Sequence, residues 1–82
     1  MLEIFRKALR KIFDRESKAG ASTVVVNSGN LHRLVGGYPG TNHRMPICCS
    51  VMRQEMKDVD RIIDSPPKGN GASLSIEYQL PR

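Results

Sequence analysis

The chain has few aromatic residues and little cysteine. Of its 82 residues, 5% are aromatic and none is tryptophan, so its core must consist mainly of Val, Ile, Leu and Met. Its two cysteines, Cys48 and Cys49, are neighbours, and a disulfide between neighbours closes a strained ring. The sequence therefore predicts one small domain, residues 1–82, without the disulfide framework of a secreted protein.

Long apolar runs are also absent. No stretch approaches the roughly 20 apolar residues that span a bilayer. The amphipathic N-terminus is rich in arginine, as transit peptides are, but it also carries Glu3, Asp14 and Glu16, which argue against a transit peptide. We therefore expect a cytoplasmic protein without a membrane partner.

Acidic residues are outnumbered by basic ones. The 13 Lys and Arg residues against 8 Asp and Glu residues give a net charge of +5. This charge is uneven: residues 1–19 carry +3, residues 20–59 carry +2 and residues 60–82 carry none. Such a distribution favours an anionic partner, with nucleic acid as the first candidate. The alternative is a basic protein whose charge serves only its solubility.

The first part of the chain predicts two amphipathic helices separated by a strand. Apolar residues recur at helical spacing over residues 2–13, and Gly20 supplies a stop signal. We expect this apolar stripe to face the core rather than a membrane. The β-branched run Thr23–Asn27 predicts a strand, after which Asn27 or Ser28 can cap a second helix. The apolar face of that helix consists of Leu31, Leu34 and Val35.

A third helix is predicted from Pro46, because proline is favourable in the first helical turn. Four apolar residues share one face of this helix, and Cys49 is expected to be more exposed than Cys48. The apolar face holds Cys48, Val51, Met52 and Met56, and the other faces hold Cys49, Ser50, Arg53, Gln54 and Lys57.

The C-terminal third predicts a β-hairpin. Leu74, Ile76, Tyr78 and Leu80 alternate with polar residues, which is the pattern of a half-buried strand. The segment RIID at 61–64 is its expected partner. The segment SPPKGNG at 65–71, which contains an Asn-Gly pair, predicts the hairpin tip.

This order of helix, strand, helix, turn, helix, strand and strand, with a basic surface, resembles the winged helix-turn-helix family. The resemblance covers nearly the whole chain and rests on topology rather than on a signature motif. It implies an α+β fold in which the first strand pairs with the hairpin, and in which the third helix enters the DNA major groove. The hairpin, or wing, would contact the DNA backbone or minor groove. One departure is the connection at 36–45, which is longer than the usual turn of about three or four residues.

The resemblance and the charge together predict a double-stranded DNA-binding module for transcriptional regulation, or the DNA-binding part of a larger system. A dimer would be needed for useful specificity, and the chain could pair with a second copy or with another protein. Polar residues before the third helix suit a phosphate, and those on the helix suit base edges. The predicted DNA-contacting residues are Asn42, His43, Arg44, Ser50, Arg53, Gln54, Lys57 and Lys68.

Two other functions remain alternatives. A winged-helix module that binds proteins and not DNA is favoured by the long 36–45 connection. A small zinc or thiol enzyme would use His32, His43, Cys48 and Cys49, but adjacent cysteines point about 100° apart on a helix and do not easily share one ion. The sequence accordingly predicts no enzyme, no metal and no cofactor.

Overall fold

The described part of the chain is an α+β fold of three helices and a three-stranded antiparallel sheet. This computed structural model describes residues 2–35, 44–66 and 71–82. The predicted order of helices and strands is confirmed within those ranges. The elements are α1 (Leu2–Lys18), β1 (Thr23–Asn27), α2 (Ser28–Val35), α3 (Met45–Gln54), β2 (Arg61–Asp64) and β3 (Ser75–Gln79).

Strand β3 is the centre of the sheet, which has the order β1-β3-β2. Val26 of β1 pairs with Ile76 of β3, and Ile62 of β2 pairs with the same residue from the other side. The register of β2 shifts between Ile62 and Asp64. The predicted pairing of the first strand with the final hairpin is therefore confirmed, while the predicted tip falls partly on residues 67–70, outside the described ranges.

The core lies between the three helices and the sheet. The apolar stripe of α1 contributes Phe5, Leu9 and Phe13, all nearly fully buried, as predicted. The alternation in β3 is also confirmed, because Ile76 and Tyr78 are fully buried between half-buried polar neighbours. The rings of Phe13 and Tyr78 meet edge to face, with centroids 4.7 Å apart. Side chains of this size stabilise a fold by about 1.5–3 kcal/mol each when fully buried.

Helix α2 starts at a side-chain cap, as the sequence predicts. The side-chain oxygen of Asn27 accepts a hydrogen bond from the backbone N–H of Asn30 at 3.1 Å. Gly29 then lies against Ala72, where an added Cβ would come within 3.0 Å of the Ala72 carbonyl oxygen. Only glycine fits this close approach without displacing the backbone, so the start of α2 is held tightly against the residues that precede β3.

The C-terminal end of the described chain is held by the buried side chain of Arg82. Its guanidinium donates to both carboxylate oxygens of Asp60, at 2.9 and 2.8 Å, and to the carbonyl of Glu55 at 2.6 Å. It also lies over two aromatic rings, 4.9 Å from the centroid of Phe13 and 5.2 Å from that of Tyr78. The Arg82 side chain is 7% exposed and that of Asp60 is 0% exposed.

Asp60 is stabilised as a carboxylate despite its burial. Burial by itself raises the pKa of Asp60, but the backbone N–H groups of Gln79 and Lys57 and the guanidinium of Arg82 outweigh it. Both N–H groups donate to the carboxylate at 2.7 Å. The pKa of Asp60 is therefore lowered below its ordinary value, and its ion pair with Arg82 joins the start of β2 to the chain that follows β3.

Candidate nucleic-acid interface

Helix α3 is positioned by an inner face that is fully buried. Cys48, Val51 and Met52 are all 0% exposed, as the spacing predicts. The phenolic hydroxyl of Tyr78, on the central strand, donates to the carbonyl of Met52 at 2.8 Å. This bond satisfies one of the carbonyls that a helix end leaves without a helical partner, so α3 is fixed to the sheet at its C-terminal end.

The end of α3 corrects one prediction. The sequence pattern continues the helix through Lys57, but the helix ends at Gln54. The physical reason is tertiary, because Arg82 binds the carbonyl of Glu55 and the carboxylate of Asp60 binds the N–H of Lys57. The chain turns between these two contacts. Lys57 therefore lies in an exposed turn after the helix and not on one of its faces.

The prediction that Cys49 is more exposed than Cys48 is wrong. Cys49 is 0% exposed, and its thiol donates to the carbonyl of Gly71 with a sulfur–oxygen distance of 3.4 Å. The residues leading into β3 cover this side of the helix, which a helical pattern by itself does not reveal. The buried stripe of α3 is consequently wider than predicted, and its outer face is narrower.

The outer face of α3 is short and carries no acidic side chain. Pro46, Ser50 and Gln54 are exposed at spacings of four residues, and Arg53 is half-buried beside them. Residues spaced by four lie on one side of a helix. No Asp or Glu occurs within Met45–Gln54. The structure therefore brings together three of the predicted contact residues, Ser50, Arg53 and Gln54, on one surface.

Helix α1 contacts this surface at the C-terminal end of α3. The Arg6 guanidinium donates to the side-chain oxygen of Gln54 at 2.8 Å. Arg6 and Arg10 also form ion pairs with the half-buried Glu55, at 3.4 and 3.3 Å. Glu55, which directly follows the helix, is thus paired with two cations of α1, and Arg6 also pairs with the exposed Glu3. A bidentate contact of Gln54 with adenine needs its amide oxygen, so that contact would require Arg6 to release it.

The N-terminal end of α3 is anchored to α2. The backbone N–H of Arg44 donates to the Nε2 atom of His32 at 2.9 Å. His32 is 1% exposed and lies edge to face with Phe5, so it belongs to the core. Among the described residues, no side chain caps α3, and the side chain of Arg44 is half-buried at this end. Arg44 therefore lies at the end of the helix opposite to Gln54 and Lys57.

The base of the hairpin is fixed beside α3. The Ser28 hydroxyl donates to the carbonyl of Gly71, the same carbonyl that accepts from Cys49. The backbone N–H of Ser28 donates to the carbonyl of Leu74 at 2.8 Å, and that of Gly29 donates to Ala72 at 3.2 Å. These bonds attach the C-terminal side of the hairpin to both α2 and α3.

Three of the predicted contact residues belong to segments at 36–43 and 67–70. Asn42, His43 and Lys68 lie outside the described residues. Conversely, the contact of Arg6 with Gln54 was not predicted from the sequence. These two residues are separated by 48 positions, and no local pattern signals such a contact.

The two thiols are buried and bonded to backbone carbonyls. Burial, and secondarily the neighbouring Cys49, raises the pKa of Cys48 to about 12. Its sulfur lies 3.5 Å from the carbonyl oxygen of Ser28. The Cys48 thiol therefore stays protonated at neutral pH and is a poor nucleophile. Over residues 2–35, 44–66 and 71–82, no group of three or more His, Cys, Asp or Glu side chains is placed to hold a metal ion.

Comparison with known proteins adds no assignment. No family model, no curated protein and no solved structure matches this chain. In the described part of the chain, none of the helices combines the length and hydropathy needed to cross a membrane.

Proposed function

We propose that this protein is a winged helix-turn-helix module that binds double-stranded DNA through α3 and the β2–β3 hairpin. The observation that carries the proposal is the outer face of α3, which is exposed, free of acids and bordered by the base of the hairpin. The sheet order β1-β3-β2 supports it further, because the family pairs the first strand with the terminal hairpin.

The residues of this face have complementary roles in the proposed complex. Ser50 is small enough to allow close approach of the helix to the groove. The Arg53 guanidinium is suited to the O6 and N7 acceptors of guanine, and Gln54 is suited to adenine once Arg6 releases it. Arg44 and Lys57, at opposite ends of α3, would contact phosphates and fix the position of the helix in the groove.

The proposed complex depends strongly on salt. Arg44, Lys57 and the predicted wing cation Lys68 would neutralise about three phosphates, and each contributes roughly −0.9 to the slope of log K against log salt. Affinity would then fall roughly 40-fold between 50 and 200 mM salt. A homodimer would place two such helices on half-sites about one helical turn apart and would raise the specificity.

The proposal is tested by placing a negative charge in the centre of the face. Ser50→Glu introduces an acid on α3, and Ser22→Glu introduces the same acid in the loop before β1; both side chains are exposed, so both variants should fold. Fluorescence anisotropy with a labelled random duplex measures the affinity of each. We expect Ser50→Glu to weaken binding at least tenfold and Ser22→Glu to weaken it less than threefold.

The salt dependence gives an independent readout. Lys57→Ala should lower the magnitude of the salt slope by about one and weaken binding to all duplexes alike. Lys18→Ala, which removes an exposed lysine from the end of α1, should leave the slope nearly unchanged. Equal effects of Ser50→Glu and Ser22→Glu, or an undetectable affinity for DNA at 50 mM salt, would contradict the proposal.

A further inference from the structure

A groove between α1 and α2 has an apolar floor that is open to solvent. Its volume is about 450 Å³. Ala8, Ile12 and Val35 form its half-buried floor, while Ile4 is 51% exposed and Leu34 is 66% exposed. Contiguous exposed apolar surface is uncommon on a protein that has no partner there, whereas single exposed apolar residues are ordinary.

The rim of this groove carries only positive charge. Lys7, Lys11 and Arg15 line it, and no Asp or Glu is among its lining residues. Within the described ranges, Lys7 and Lys11 form no ion pair. Arg15 contacts Glu16 at 3.4 Å but remains 72% exposed, so that pair contributes little. The cations recur at four-residue spacing along one side of α1.

We propose that this groove binds a short amphipathic helix of another protein, with apolar residues on its inner side and Asp or Glu residues beside them. Charge complementarity selects this occupant, because the apolar floor gives a phosphate backbone nothing to bond and the rim repels a basic segment. From Ile4 to Arg15 the groove runs along 12 residues of α1, an axial rise of about 16 Å. That length accommodates three helical turns, with apolar anchors at i, i+3 or i+4, and i+7.

The occupied groove would use none of the residues assigned to DNA. The lining comes from α1 and α2, whereas the proposed DNA contacts come from α3, the residues that flank it and the β2–β3 hairpin. The protein would then hold DNA and an acidic protein segment at the same time. This inference is independent of DNA binding, and the groove can be occupied whether or not α3 binds a duplex.

The first test is a selection of peptides from a random displayed library of about 16 residues, with the intact protein as bait. We expect enriched peptides to combine Leu, Ile or Phe at helical spacing with several Asp or Glu residues. Enriched peptides are then titrated into isotope-labelled protein, where amide shifts should concentrate in residues 4–15 and 31–35. A selection that enriches no such pattern would overturn the inference.

Matched variants locate the binding site. Leu34→Ser and Val59→Ser each remove an apolar side chain that is 66% exposed, but only Leu34 lines the groove. We expect Leu34→Ser to weaken peptide binding about tenfold and Val59→Ser to leave it unchanged. Lys11→Gln should weaken it two- to threefold at low salt, whereas Lys18→Gln should not. Equal effects within either pair would overturn the inference.

Two other occupants are outcomes of the same experiments. Binding to vesicles of phosphatidylcholine and phosphatidylglycerol at 3:1 that is lost in Leu34→Ser, with no peptide selected, would assign the groove to an anionic membrane surface. A concentration-dependent dimer in sedimentation that is lost in Leu34→Ser would assign it to a second copy of the chain. Either result would overturn the proposal of an acidic partner helix.

Discussion

Arg82, at the C-terminal end of the chain, differs from the lysines along the α1–α2 groove in its burial and in its pairing with an acid. Arg82 is almost completely buried between Asp60, the Glu55 carbonyl and two aromatic rings. Lys7 and Lys11 extend along the rim of an apolar groove, with no ion pair in the described part of the chain. The sequence presents all three residues simply as basic.

The difference shows that the basic residues behind the net charge of +5 have different roles. Arg82 serves the fold. Arg6 and Arg10 form an intermediate group, because they neutralise Glu55 at the end of α3 while remaining partly exposed. Cations such as Lys7, Lys11 and Lys57, which form no ion pair in the described part of the chain, are available to an anionic partner. A graded series of substitutions should separate these groups by their effect on the free energy of unfolding.

The largest effect is expected at Arg82. Arg82→Ala leaves the carboxylate of Asp60 buried without its counter-ion and removes the bond to the Glu55 carbonyl. Breaking such a pair costs about 3–5 kcal/mol, a large part of the stability of a domain of this size. Urea denaturation followed by circular dichroism measures the loss. Arg82→Lys, which keeps the charge but not the planar fork, should lose less, and a loss below 1 kcal/mol in Arg82→Ala would contradict this role.

A second effect follows from the lowered pKa of Asp60. The unfolded chain binds a proton at this residue near pH 4, whereas the folded protein does so only at lower pH. The contribution of Asp60 to stability is therefore complete above about pH 4 and is lost as the pH falls through its folded pKa. Urea denaturation between pH 5 and pH 2 should show a steeper loss in the wild type than in Asp60→Asn. Identical pH profiles of stability in the wild type and in Asp60→Asn would show that other groups cause the loss of stability in acid.

The smallest effects are expected on the surface of α1. Arg10 is 65% exposed, so Arg10→Ala should cost less than about 1 kcal/mol and should cost still less at high salt. Lys11→Gln should change the free energy of unfolding by less than about 0.5 kcal/mol. The same denaturation curves, recorded at two salt concentrations, measure both. If Lys11→Gln lowered the free energy of unfolding as much as Arg82→Ala does, the proposed difference between stabilising cations and cations available to a partner would be wrong.

Periodic patterns were sufficient to predict much of the fold. The stripe of α1 and the alternation of β3 both matched their burial, because a single face of each element packs against the core. Predictions failed where a distant segment decides the outcome. Cys49 is buried by the residues that precede β3, and α3 ends early because Arg82 and Asp60 bind the backbone after it.

The candidate site was also predictable within one helix but not where distant segments meet. Ser50, Arg53 and Gln54 lie together because their spacing places them on one side of a helix. The Arg6 contact and the α1–α2 groove both depend on how α1 packs against later elements, which no local pattern encodes. The exposed side chains of Ile4 and Leu34 indicate a binding surface only because the structure places them in one groove.

The most direct test of the central claim is a titration of isotope-labelled protein with a random short duplex, followed by NMR at 50 and 200 mM salt. We expect amide shifts in residues 44–57 and 71–73 that weaken at the higher salt, together with loss of the Arg6–Gln54 contact. The groove residues Lys11, Ile12 and Leu34 should not respond to DNA. Shifts confined to the α1–α2 groove, or no shifts at 50 mM salt, would contradict the claim that α3 is a DNA-binding helix.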